Sequence, residues 1–292
     1  MHDPAAPLGR APDQPLVWLL TDERYLQQRM PLALVDRLTA DGVAVRVVTA
    51  DDTVLEPAAD SADAWPDVNP GDVLVARTRN PFALALLRAA ERPGVHVATP
   101  WESVAAVRNK AWAVQALARR GVPMPRTIVA GTTTALKSLE RDRFPLVLKP
   151  HLGDNGLGIA LVRDRAELDD LRWEDTVVLA QEYIETGGVD LKLYGAGERV
   201  WAVRRPSPLR AATGATTAER VPPTPDLERL AHACGSTFGL SLYGVDVLET
   251  ARGPLVVDVN EFPNYTGVDE APDVISELVQ VELGVRTLEV PV

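Results

Sequence analysis

A chain of 292 residues, 46% hydrophobic and 24% charged, has the composition of a folded globular protein with room for more than one lobe. Its net charge of −11 excludes a role that needs an overall basic surface, so neither nucleic acid nor an anionic membrane is expected as a partner. The single cysteine, Cys234, lies in an apolar run and reads as a small buried hydrophobe; with no internal disulfide possible and no stretch long enough to span a membrane, a cytoplasmic location fits.

The Pro/Ala-rich residues 1–14 predict a loose tail. From residue 15 onward, short β-branched runs alternate with helical patterns. Residues 16–20, 43–48, 72–75 and 95–98 predict strands, and 30–40 and 82–91 helices. Together they make residues 15–98 a small open parallel-sheet lobe. Residues 101–120 read as one long helix stopped by Gly121, with Pro123 and Pro125 beyond it. It opens a central lobe, 99–183, with strands at 144–149, 159–162 and 177–180. In a C-terminal lobe, 184–292, residues 188–204 predict two antiparallel strands around Gly195-Ala-Gly197. The stretch 206–225 predicts a mobile loop, 227–238 a helix, 243–249 and 255–259 two more strands, and about 274–283 a last helix. The fold class is α/β, made of α+β lobes behind an open parallel sheet.

Three segments carry chemistry. Lys149-Pro-His-Leu-Gly153-Asp-Asn-Gly156-Leu-Gly158 is not the Walker loop, and the strand after it excludes a Rossmann fingerprint. Its glycines let backbone N–H groups close over polyphosphate oxygens, and the lysine brings a cation to them; a plain glycine-rich hairpin is the alternative. In Gly244-Val-Asp246 and Asp258-Val-Asn260, period-2 alternation puts Asp258 and Asn260 on one strand face, and a paired neighbouring strand adds Asp246. Two carboxylates and an amide oxygen are hard donors suited to Mg2+ (or Mn2+), and such acids are expected to repel one another until a metal neutralises them. Third, Gln181-Glu182-Tyr183-Ile184-Glu185 stands where a strand leaves its sheet, freeing backbone groups for an adenine edge and acids for ribose hydroxyls. Arg77 and Arg79, after the third strand, are either ordinary loop arginines or a bidentate clamp for a carboxylate.

This order of parts resembles the ATP-grasp superfamily across about residues 100–285. The central lobe, with Arg108-Asn-Lys110 before a helix and Lys149 before the glycines, is similar to the RimK-type glutamate ligases. Gln181 through Lys192, Arg205-Pro-Ser207 and Asp258-Val-Asn260-Glu-Phe-Pro are similar to the inositol-trisphosphate 5/6-kinases. The resemblance implies ATP phosphates at Lys110, Lys149 and the loop of Gly153, Gly156 and Gly158. It implies adenine at Gln181, Glu182, Tyr183 and Ile184, ribose at Glu185 or Asp190, and nucleotide at Ser207. Asp246, Asp258 and Asn260 would hold Mg2+. Lys192, with Arg204 or Arg205, would neutralise the transferred phosphoryl group. The implied activity is an ADP-forming ligase joining a small carboxylate to an amine through an acylphosphate, with a kinase acting on a polyol as the alternative; a homodimer is compatible with either. The sequence departs from the ligases at Pro208-Leu-Arg210 in the mobile stretch and from the kinases at Asp154-Asn155 in the glycine loop.

Overall fold

Strand β1 (Val17–Thr21) is buried at all five positions, as is β3 (Val73–Arg77), the burial expected of parallel strands covered on both faces. With β2 (Val45–Thr49) and β4 (His96–Val97) they form a parallel sheet in the order β2-β1-β3-β4. Helices α1 (Arg29–Ala40) and α2 (Phe82–Ala90) complete this unit. The computed structural model describes residues 15–56, 68–153, 156–174, 176–207, 209 and 218–285. The expected tail, the pair Asp154-Asn155 and residues 208 and 210–217 of the expected mobile stretch lie outside them.

The long helix expected over 101–120 is two helices, α3 (Trp101–Arg108) and α4 (Lys110–Arg119). Asn109 between them takes φ −86 and ψ 93, and its side chain accepts from Trp112 N at 3.2 Å. Asparagine bonds its own neighbouring backbone more readily than it continues a helix, so it caps α4.

The central sheet joins β5 (Thr127–Ala130), β6 (Leu146–Pro150), β7 (Ala160–Val162) and β8 (Val178–Glu182) in the antiparallel order β5-β8-β6-β7. Strand β8 stays paired through Glu182, so the chain leaves the sheet two residues later than the apolar run alone suggests. Helices α5 (Thr133–Leu136) and α6 (Arg165–Asp170) flank it, and Leu136, Leu148, Val162, Leu168 and Val178 form its core.

The third sheet is antiparallel, ordered β11-β10-β9-β12-β13, with β9 (Val189–Ala196), β10 (Arg199–Pro206), β11 (Glu219–Val221), β12 (Leu242–Thr250) and β13 (Gly253–Glu261). Strand β11 falls in the stretch expected to be loop. The β9–β10 turn centres on Gly197 (φ 56) and Glu198. Gly195 is a strand residue, and a Cβ there would lie 2.1 Å from the Tyr243 ring. One face of the sheet packs on α3, α4 and α7 (Pro225–Phe238), with Cys234 inside. Burial pushes that thiol up to about 12, which fits the structural reading of the cysteine. On the opposite face, Tyr194, Trp201, Val203 and Leu242 share a core with Val17, Leu19, Val73 and Val75 of the parallel sheet, and α1 and α8 (Ala271–Glu282) belong to it. The rest of that face is charged.

Candidate active site

The charged patch follows from strand register. Asp190 of β9 faces Arg205 of β10, Lys192 faces Asp246 of β12, and Asp246 faces Asp258 of β13. Lys192 Nζ lies 2.8 Å from Asp246 Oδ2, Arg205 donates to Asp246 Oδ1, Asn260 Nδ2 donates to Asp246 Oδ2 at 3.2 Å, and Lys110 pairs with Asp258. All seven line one cavity of about 520 Å³. The acids therefore do not face one another unscreened, as the sequence suggested: three cations stand among them. Burial alone would raise the Asp246 carboxyl, but Lys192 and Arg205 outweigh it and hold it below the usual range. Burial lowers Lys192 and raises Asp190.

Arg204 does not belong here. The strand alternation turns it to the opposite face, where it pairs with Glu249 at 3.0 Å in solvent. Only Arg205 enters the cavity.

Lys149 stands between this cavity and a second one of about 150 Å³. Its Nζ donates to Gln181 Oε1 at 2.8 Å and to the Val257 carbonyl at 3.2 Å. Burial lowers its pKa to about 8, with Asp258 opposing and Lys110 reinforcing the shift. Val147, Ile159, Leu248 and Val257 give the smaller cavity apolar walls, and its rim carries Gln181, Glu182, Tyr183, Ile184, Glu185, Asp190 and Ser207. The whole segment expected to read a nucleoside thus meets at one slot. Gly153 and Gly156 line the larger cavity, and Lys110 N donates to the His151 carbonyl at 2.8 Å, tying the start of α4 to the glycine loop. Gly158 does not line either cavity; its φ of 73 serves the turn.

The parallel sheet closes the far side with Tyr25, Gln28, Arg77, Thr78 and Arg79. The order β2-β1-β3 reverses direction between β1 and β3, and ligands of open α/β sheets sit at such a crevice beyond the strands' carboxyl ends. Of these residues the sequence marked only the two arginines. It also missed Glu261, a buried acid that accepts from Arg108 Nε at 3.0 Å and lies 3.5 Å from Arg79. Its position directly after Asp258-Val-Asn260 was the available signal.

Asp246, Asp258 and Asn260 offer a divalent cation two carboxylates and an amide oxygen, leaving coordination positions for phosphate and water. Among the described residues no three acids, histidines or cysteines gather as a self-sufficient metal site. Arg205 Nε is buried without a partner among them, a donor left for an anion. An apolar slot with a polar rim, a lysine-and-glycine wall and an acid–amide wall meet between two antiparallel sheets, and with this fold they define the class: an ATP-grasp enzyme.

A family model described as the RimK-like ATP-grasp domain matches residues 107–280. A probable alpha-L-glutamate ligase of Shewanella amazonensis is 33% identical over 202 residues, covering 65% of this chain and 67% of its own. A RimK-domain ATP-grasp protein of Sphaerobacter thermophilus superposes with a TM-score of 0.70 at 22% identity over 91% of this chain and 98% of its own. The ATP-grasp ligase PsnB, solved with a precursor variant, Mg and ADP, gives 0.71 at 15% identity over 91% and 98%. The chain belongs to the RimK-like ATP-grasp family. No helix of the described residues is long and apolar enough to cross a membrane.

Proposed function

We propose that the protein uses MgATP to activate a small carboxylate as an acylphosphate and passes the acyl group to an amine. The observation that carries this reading is the single cavity where Lys110, Lys149 and the glycine loop face Asp246, Asp258 and Asn260. Gln181 to Ile184 would take the adenine, Glu185 or Asp190 the ribose, and Ser207 the nucleotide's edge. Lys110, Lys149 and the backbone at Gly153 and Gly156 would hold the phosphates. Mg2+ at the two acids and Asn260 would supply charge neutralisation on the phosphate oxygens. The acid's oxygen attacks the γ-phosphorus and ADP leaves; the amine then attacks the carbonyl carbon, inorganic phosphate leaves, and the amine gives up its proton. Lys192 and Arg205 would hold positive charge beside the transferred group, Lys192 from a buried position where a fixed charge acts more strongly.

Gly244 supports the fit. A Cβ there would lie 2.8 Å from Lys192 Cε and 3.2 Å from its Nζ, so the strand is kept bare to let the lysine through. The test is a screen of acid–amine pairs that reads ADP and free phosphate separately. A ligase releases both in equal amounts; ADP without free phosphate, together with a phosphorylated acceptor, would establish a kinase instead.

A further inference from the structure

The loop from β3 to α2 is held by two charged side chains that arrive from opposite sides. Asp22, buried at the end of β1, accepts from Arg79 N at 2.6 Å, from Asn80 N at 3.4 Å and from the Thr78 hydroxyl. Arg108, at the end of α3, donates to the carbonyls of Thr78 and Asn80 while its Nε pairs with Glu261. The loop's backbone polar groups are thus answered by side chains, a fixed arrangement at a place where a connection would ordinarily be loose. What it fixes is the direction of Arg79. That guanidinium lies in the large cavity, with one NH2 nitrogen 3.2 Å from Asn260 Oδ1 and the other 3.5 Å from Glu261 Oε1. Arg77, two residues earlier, is used differently. It stacks on Tyr25 at 4.6 Å and donates to Gln28 Oε1 at 2.9 Å and to the Phe262 carbonyl, so it braces the wall.

Arg79 therefore presents a planar fork of donors beside the acid–amide wall, at the crevice where the parallel sheet reverses order. We propose, on the basis of the ligase reading above, that Arg79 binds a carboxylate of the substrate acid other than the one activated, so that the acid is a small dicarboxylate. Its longer contact with Glu261 is exchanged for two shorter bonds to the substrate. Asp22 and Arg108 are positioning residues for it. The activated carboxylate lies toward Lys149 and Arg205, and the second one toward the parallel sheet.

The test uses the full chain with Mg2+ and a non-hydrolysable ATP analogue. Chain-matched acids are titrated calorimetrically: succinate against butyrate, glutarate against valerate, adipate against hexanoate. In at least one pair the dicarboxylate binds tenfold or more tightly. Arg79→Ala abolishes that preference while nucleotide affinity stays within twofold, and Arg79→Lys restores only part of it because an ammonium lacks the fork. Asp22→Asn weakens dicarboxylate binding while leaving nucleotide affinity unchanged, a split that loss of folding would not give. The proposal is overturned if monocarboxylates bind as well as their partners, if no dicarboxylate binds, or if Arg79→Ala keeps the preference. Should it fall while some other acid–amine pair releases ADP and phosphate together, the ligase reading stands alone; phosphate retained on an acceptor removes both.

Discussion

Replacing Lys149 with methionine tests the phosphate wall and the electrostatics together. Burial takes this lysine from 10.5 to about 8. At about 1.4 kcal/mol for each tenfold change in proton affinity, carrying the charge costs the folded protein at most roughly 3 kcal/mol. Lys149 keeps some contact with water, which screens part of that. Because the folded pKa lies below the unfolded one, the folded chain binds fewer protons between about 8 and 10.5, and wild-type stability rises with pH across that window. Lys149→Met should therefore melt higher than wild type at pH 7 and lose the advantage as the pH rises to 10.5. ATP binding has the opposite dependence, since the phosphates favour the charged form. At pH 7 the variant should bind ATP more weakly by roughly 1.5–3 kcal/mol, the worth of a charge-assisted hydrogen bond, or about 10- to 150-fold. At pH 9.5 the gap should narrow, because the wild-type lysine must first take up a proton. Calorimetry in buffers of different ionisation enthalpy measures that uptake directly, and the variant corrects for ionisation of the nucleotide. An equal gap at both pH values, or no difference in proton uptake between the two proteins, would refute the reasoning.

Asp246→Asn should abolish turnover and also destabilise the ligand-free protein, by roughly 3 kcal/mol in a urea titration, because it strands the buried Lys192 and the half-buried Arg205 without their anion. Since Lys192 and Arg205 hold the Asp246 carboxyl below its usual range, its contribution is present at neutral pH and is lost as the pH falls through that lowered value; the variant's deficit should shrink in acid. Gly244→Ala should keep the fold by circular dichroism but displace Lys192 and lower kcat, and unchanged kcat would count against a role for that lysine. Arg204→Ala should leave kcat and KM at wild-type values and cost no more than about 1 kcal/mol of stability, as for an exposed ion pair.

That Gly153 and Gly156, the pair Asp258 and Asn260, and residues 181–185 would line neighbouring cavities was legible in the sequence because each group is contiguous. Arg204 and Arg205 were harder to tell apart. Trp201 and Val203 share a face with Arg205, but which face is the site is decided by pairing with Lys192 and Asp190 on β9. Asn109 hid inside a pattern of apolar positions that continues in phase on either side of it. Asp22 left no trace: the β3–α2 loop groups it holds lie more than fifty residues away, and only the parallel pairing of β1 with β3 brings them within reach. Strand β11 is three residues long and mostly exposed, so no periodicity announced it.

The distribution of apolar cores has a consequence for how the molecule comes apart. The central sheet draws its core wholly from residues between 128 and 180, whereas the parallel sheet and the five-stranded sheet bury their facing sides in one another. Among the described residues, the bonds that tie the central sheet to the rest include Lys110 N to His151 and Lys149 to the Val257 carbonyl. Amide hydrogens of β5 to β8 should therefore exchange through a partial opening that leaves the other two sheets intact, while those of β1, β3, β9 and β12 exchange together at the rate of global unfolding. The first 98 residues cannot be cut away as an independent module: without them Tyr194, Trp201, Phe262 and Tyr265 would face water.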